Sequence, residues 1–142
     1  MSSINKEKFI EGLNQDLAGE LGAIIRYNWQ ASKAFGPQGA ELRELFTSEV
    51  PDEMGHALFL MDVIVDLGGE PTTEPLAFDK PDTLRGMLEL DLEMELKDVD
   101  NYTERAKQAE GLENTELKVR LEEIAADEGK HARELRRILK GM

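Results

Sequence analysis

The chain has 142 residues and 16.0 kDa, and its 17 Lys+Arg against 30 Asp+Glu leave a formal net charge of −13. That balance excludes the clustered Lys and Arg that nucleic acid or an anionic membrane surface requires, while the lack of cysteine excludes disulfides, thiol catalysis, iron–sulfur clusters and Cys-type zinc sites. No apolar run approaches the ~20 residues of a membrane span, and Met1-Ser2-Ser3-Ile4-Asn5-Lys6-Glu7-Lys8 lacks a signal-peptide core, so one cytoplasmic domain over 1–142 is expected.

The first predicted helix spans roughly 5–35, with an apolar stripe of Phe9, Leu13, Leu17, Ile24, Tyr27 and Ala31. Gly36-Pro37-Gln38-Gly39 breaks it. The second, roughly 38–67, carries Leu42, Phe46, Leu60, Val63 and Leu67. Pro51 falls in its middle, where a kink is expected and not an end, because the stripe resumes in phase. Gly68-Gly69, Pro71, Pro75 and Pro81 then mark a connection of roughly a dozen residues. The third helix, roughly 82–110, carries Leu84, Leu88, Leu92, Val99, Tyr102 and Ala106. Gly111 closes it, and Asn114 or Thr115 is the natural N-cap of the fourth, roughly 115–139, with Leu117, Leu121, Ile124, Leu135 and Ile138.

Four amphipathic helices of this length read as an all-α four-helix bundle. The short first and last connections make their flanking helices antiparallel. The middle one, extended at ~3.3 Å per residue, covers about 40 Å, the length of the bundle. It can return the chain to its starting end, giving one long crossover between helices two and three.

Polar residues interrupt the stripes where core is due. Glu20 falls between Leu17 and Ile24, Glu53 and His56 align with Phe46 and Leu60, and Glu49 lies near that line. Glu95 falls between Leu92 and Val99, and Glu128 and His131 between Ile124 and Leu135. The positions repeat: Glu20, Tyr27, Glu53 and His56 recur 75 residues on as Glu95, Tyr102, Glu128 and His131. Both histidines and both tyrosines of the chain fall on this repeat.

A lone Glu-x-x-His is weak evidence, since acidic helices contain it by accident. Six inward residues that agree in face and depth need a physical explanation. Buried carboxylates repel one another and lose hydration unless cations neutralise them. Two divalent ions balance four Glu, and the two imidazoles complete the shells. Residues three apart share a helical face, so Glu-x-x-His offers an oxygen and a nitrogen to one ion. Mixed O/N donors suit iron or manganese, with zinc able to occupy the site. The two-Glu, two-Glu-x-x-His set is the known arrangement of dinuclear carboxylate bundles. Tyr27 and Tyr102 are candidates to orient the carboxylates. Glu70, Glu74, Glu104 and Glu113 read as a solvated face.

On Glu20-Leu21-Gly22-Ala23-Ile24 leading to Tyr27, Asp52-Glu53-Met54-Gly55-His56, Asp91-Leu92-Glu93-Met94-Glu95-Leu96 and Asp127-Glu128-Gly129-Lys130-His131, the sequence resembles the ferritin-like superfamily, most closely bacterioferritin. The resemblance implies an antiparallel ferritin-like bundle whose ferroxidase centre has Glu20, Glu53, His56, Glu95, Glu128 and His131 as ligands, Glu53 and Glu128 bridging. It implies two iron ions, oxidised from Fe(II) by dioxygen or hydrogen peroxide, in iron handling or peroxide detoxification. Tyr27 matches a tyrosine near that centre. Met54 matches the residue that holds haem b at a dimer interface, although Asn28 stands where an aromatic is expected.

The chain stops at Gly141-Met142, directly after the fourth helix, which favours a homodimer over a storage cage. The pattern also resembles the bundle of rubrerythrins, with Asp98 as an added carboxylate. A peroxidase of that kind would take electrons from an external donor, because no cysteine is present for a rubredoxin-like module. The same donor pattern is compatible with a di-iron oxygenase acting on a small organic substrate, or with metals that only hold the bundle together.

Overall fold

A computed structural model describes residues 2–142, with side chains from Asn5 onward; Met1 lies outside the described residues. Four helices follow in order: α1 (Ser2–Ser32), α2 (Gly36–Asp66), α3 (Leu84–Gly111) and α4 (Thr115–Lys140). No strand occurs among the described residues, so the chain is all-α. The helices fall in two compact units, one of Met1–Asp16 with Leu88–Met142 and one of Leu17–Met87.

In the Leu17–Met87 unit, the second half of α1 and all of α2 bury Leu17, Ala23, Tyr27, Ala31, Leu42, Phe46, Leu60, Val63 and Ile64. Ala23 and Ile64 are added to the stripes read from the sequence, whose Ile24 and Leu67 are only half-buried, and each large apolar side chain fully buried here contributes about 1.5–3 kcal/mol. The Tyr27 and Phe46 rings lie 6.4 Å apart, and Arg43 Nη1 donates to the Ala31 carbonyl at 3.1 Å.

The α1–α2 break is tighter than the sequence suggested. α1 ends at Ser32, where Lys33 and Ala34 close the last turn on the carbonyls of Gln30 and Ala31. Phe35 is extended, and Gly36 reverses the chain at φ 77°. Pro37 then sits in the first turn of α2, where a missing N–H costs nothing. Pro51 does not end α2, as expected; its ring is solvent-exposed. In the preceding turn Thr47 Oγ1 and Ser48 Oγ donate to the carbonyls of Arg43 and Leu45 at 3.0 and 2.6 Å, a back-bonding pattern that bends helices.

The long connection after α2 runs without helix to Leu84 and is tied to α1. Leu76 N donates to the Ala18 carbonyl at 2.8 Å. Gly22 permits this, because a Cβ there would collide with the Leu76 carbonyl oxygen. Phe78 packs its ring 6.2 Å from Trp29, with Lys80 Nζ 5.6 Å from its centroid.

In the other unit, the first half of α1, most of α3 and α4 bury Phe9, Leu13, Leu88, Tyr102, Ala106, Leu117, Leu121, Ile124 and Leu135. Between α3 and α4 the left-handed residue is Glu113 (φ 59°), while Gly111 is the last helical residue. Asn114 is the N-cap of α4, and its side chain accepts from Leu117 N at 3.1 Å. A buried ion pair joins α1 to α3, with Arg105 Nε 2.7 Å from Asp16 Oδ2 and Arg105 Nη2 3.3 Å from Asp16 Oδ1. Gly12 lies against the Arg105 guanidinium where a Cβ would collide with it.

Candidate metal centre

Each unit buries its own carboxylate–imidazole cluster. In the Leu17–Met87 unit, Glu20 comes from α1 and Glu53 and His56 from one face of α2, three residues apart. Glu20 is 2 % and Glu53 0 % exposed. His56 Nδ1 stands 3.6 Å from Glu20 Oε1, and each of the three residues offers a donor atom within 4.8 Å of the others. Glu53 also pairs with the buried Glu49, one turn earlier on α2, within the same limit.

The second unit repeats the arrangement. Glu95 comes from α3, and Glu128 and His131 from α4, again three residues apart. Glu95 is 1 % and Glu128 0 % exposed. His131 Nδ1 lies 3.7 Å from Glu95 Oε1 and 3.6 Å from Glu128 Oε1. Asp98, half-buried and one turn beyond Glu95, offers an oxygen within 4.8 Å of those of Glu95 and Glu128.

The chemistry of these donor sets fits a divalent cation in each. Two carboxylates carry −2 and a neutral imidazole adds a nitrogen, so one ion of charge +2 neutralises one cluster. Without it, two ionised carboxylates about 5 Å apart repel by about 3 kcal/mol at an effective dielectric near 20. Oxygen-rich sets with one imidazole suit iron or manganese.

The structure thus groups Glu20, Glu53 and His56 in one unit and Glu95, Glu128 and His131 in the other. Tyr27 and Tyr102 are each 1 % exposed, one in each core. Met54, rotated from Glu53 on α2, is 55 % exposed and faces away from the buried cluster. Leu58 and Val65 lie along the same outer side of α2 and are also exposed. Glu70, Glu74, Glu104 and Glu113 are solvated, as expected.

Sequence reasoning did not count three features. Glu49 lies near the inward line of α2, but its repeat counterpart is Ile124, so symmetry gave no cue. Asp16 and Asp91 are 75 residues apart and both buried, a visible extension of the repeat. Burial pushes the Asp16 carboxyl above its ordinary range, and the hydrogen bonds and charge of Arg105 offset this only in part. Arg26, 2 % exposed, places its guanidinium carbon 4.8 Å from the Tyr27 ring centroid.

The family model of the ferritin-like domain matches residues 10–142. The chain belongs to the ferritin-like family. Its fold is accordingly the ferritin-like four-helix bundle. A ferritin-like, diiron-carboxylate protein from Bacillus anthracis str. Ames is 45 % identical over 95 % of this chain and 97 % of its own, with TM-score 0.94. The Desulfovibrio desulfuricans bacterioferritin, solved with its diiron site in different catalytic states, is 26 % identical over 99 % of this chain and 82 % of its own, with TM-score 0.81. The Rhodobacter capsulatus bacterioferritin, with a metal-free dinuclear site and haem iron, is 27 % identical over 94 % and 84 %, with TM-score 0.77. No curated protein matches the chain. This ferritin-like protein therefore has diiron-carboxylate proteins and bacterioferritins as structural neighbours.

Proposed function

We propose that Glu20, Glu53, His56, Glu95, Glu128 and His131 hold a pair of iron ions and that the protein oxidises Fe(II) with dioxygen or hydrogen peroxide. The observation that carries the reading is the twofold occurrence of one buried donor set. Glu20, Glu53 and His56 in one unit and Glu95, Glu128 and His131 in the other each bring two carboxylates and an imidazole together. The diiron sites named for the neighbours from B. anthracis and D. desulfuricans support iron as the metal.

Bound iron would supply one electron per ion as Fe(II) becomes Fe(III). Two such electrons, with two protons, would suffice to convert one hydrogen peroxide to two waters. The chain's own residues set the conditions for this. Glu53 and Glu128, fully buried, carry the charge that favours the ferric state. The two histidines would each add a nitrogen donor, and the role assigned here to the buried Tyr27 and Tyr102 is to orient carboxylates by hydrogen bonding.

Anaerobic titration should give two Fe(II) per chain, and exposure to oxidant should convert both to Fe(III), followed by stopped-flow absorbance. Comparing dioxygen with hydrogen peroxide separates iron handling from peroxide removal. A stoichiometry of one or none, or full oxidation by Glu53→Ala, defeats the proposal. The place of Asp98 beside Glu95 and Glu128 favours a second reading, a rubrerythrin-like peroxidase served by an external donor. It predicts preference for peroxide and loss of that preference in Asp98→Ala.

The exposed Met54, Leu58 and Val65 on α2 suit a homodimer interface, with haem b between paired Met54 side chains. The haem iron of the R. capsulatus neighbour supports this assignment. A Soret band that is present in the wild type and lost in Met54→Ala is the expected signature.

A further inference from the structure

Two rows of exposed charge, opposite in sign, stand on consecutive helices of the Leu88–Met142 unit. On the last three turns of α4, Lys130, Arg133, Arg136, Arg137 and Lys140 are all exposed, and Glu134 is the only acid among residues 130–140. At ~3.6 residues per turn these five fall on the side of α4 away from the buried Glu128, His131 and Leu135. On α3, Glu89, Glu93, Asp100 and Glu104 are exposed on the side away from the buried Leu88, Glu95 and Tyr102. Leu96, 38 % exposed, lies beside them.

Helix chemistry accounts for only part of the basic row. Arg137 and Lys140 stand in the last turn, where cations suit the carbonyl end of a helix. Lys130, Arg133 and Arg136 lie beyond that reach, and spacings of three and four set these like charges side by side. Elsewhere in the unit exposed cations meet acids: Lys97 lies 3.5 Å from Glu93, Lys118 3.9 Å from Glu110 and Arg120 3.6 Å from Glu116. None of the five in the α4 row has an ion-pair or hydrogen-bond partner among the described residues.

We propose that the basic row of α4 docks on the acidic α3 row of a second copy of this chain. The rows match in sign and scale, about 15 Å from Lys130 to Lys140 and about 22 Å from Glu89 to Glu104 at ~1.5 Å per residue. Leu96 adds an apolar contact at the acidic row. Because both rows belong to one unit, every copy brings both halves of the contact. Opposed rows steer two chains of net charge −13 into this register and disfavour others. A polyanion fits less well, since phosphates reaching past the row meet a chain that is acidic overall. The contact is separate from Met54, Leu58 and Val65 on α2 and does not depend on bound metal.

The test is the mass of the full chain in solution, by sedimentation and light scattering, at about 20 mM and about 500 mM NaCl, between which the Debye length falls from roughly 20 Å to roughly 4 Å. The wild type should form a larger species at low salt, with an association constant roughly tenfold or more above that at high salt. Arg133→Glu with Arg137→Glu should lose that species. Glu89→Lys with Asp100→Lys should lose it too, although the two pairs shift the net charge in opposite directions. An equal mixture of the two double variants should regain it, because one retains the acidic row and the other the basic. Arg133→Gln with Arg137→Gln, a milder change, should weaken it in the same direction, and far-UV circular dichroism establishes that the variants fold. A wild-type mass that salt does not change, loss in only one of the double variants, or a mixture that fails to associate overturns the proposal. Retardation of a duplex DNA by a wild type whose mass is the same at both salts also overturns it, and assigns the row to a polyanion.

Discussion

The Asp16–Arg105 pair gives the sharpest test of the energetics. Both side chains are buried, at 1 % and 8 % exposure, and the guanidinium bonds the carboxylate through Nε at 2.7 Å and Nη2 at 3.3 Å. Arg105 Nη1 also reaches Gln108 Oε1 at 3.0 Å. Replacing Arg105 by Met leaves a buried carboxylate without its counter-ion, which typically costs about 3–5 kcal/mol. Asp16→Leu should cost about the same, by stranding the guanidinium. The double replacement removes both charges and should lie near the wild type or above it, because desolvation of the pair rivals its attraction.

The raised Asp16 pKa is the independent sign of that balance, since burial outweighs Arg105 there. Urea unfolding of the metal-depleted single and double variants measures the cycle, and each kcal/mol should appear as a shift of about 2–4 °C in Tm for a chain of this size. Single variants within about 1 kcal/mol of the wild type, or a double variant as unstable as the sum of the two, would refute the reasoning. The pair also predicts a pH dependence. Because the folded state holds the Asp16 proton more tightly than the unfolded chain, this contribution to stability is fully present below the ordinary Asp range. It is lost as pH rises through the raised folded value, and Asp16→Asn should flatten that slope.

Gly22→Ala places a methyl against the Leu76 carbonyl and should destabilise by about 1–3 kcal/mol, with faster proteolysis within the 67–83 connection as the signature. Asn114→Ala removes the acceptor for Leu117 N and should cost about 1 kcal/mol, measured by thermal unfolding. Addition of Co(II) or Zn(II) to the metal-depleted protein should raise stability, by about 2.7 kcal/mol per site at a hundredfold excess over Kd. Combined His56→Ala and His131→Ala should abolish most of that gain, and calorimetric scans with and without metal check it.

Sequence by itself determined the four helices, their inward faces and the six inward polar residues of the repeat. Helical periodicity is local, and a polar residue in phase with Leu and Phe is inward whatever the partner helix is. Phe9, Phe46, Leu60, Leu88 and Leu121, each 0 % exposed, fall where the stripes put them. The breaks at 67–83 and at Asn114 were legible for the same reason: Pro, Gly and capping side chains act on their own backbone.

Tertiary structure decided what depends on residues far apart in the chain. Asp16 and Arg105 are separated by 89 positions and meet only because α1 and α3 pack together. Gly22 has a purpose only once Leu76 approaches it, and Glu49 becomes notable only once burial places it beside Glu53. Glu113 took the left-handed turn in place of Gly111, since the closing geometry depends on where α4 begins and not on the most permissive nearby residue. Periodicity tells which side of a helix leaves water. What that side then touches is set by packing across the fold.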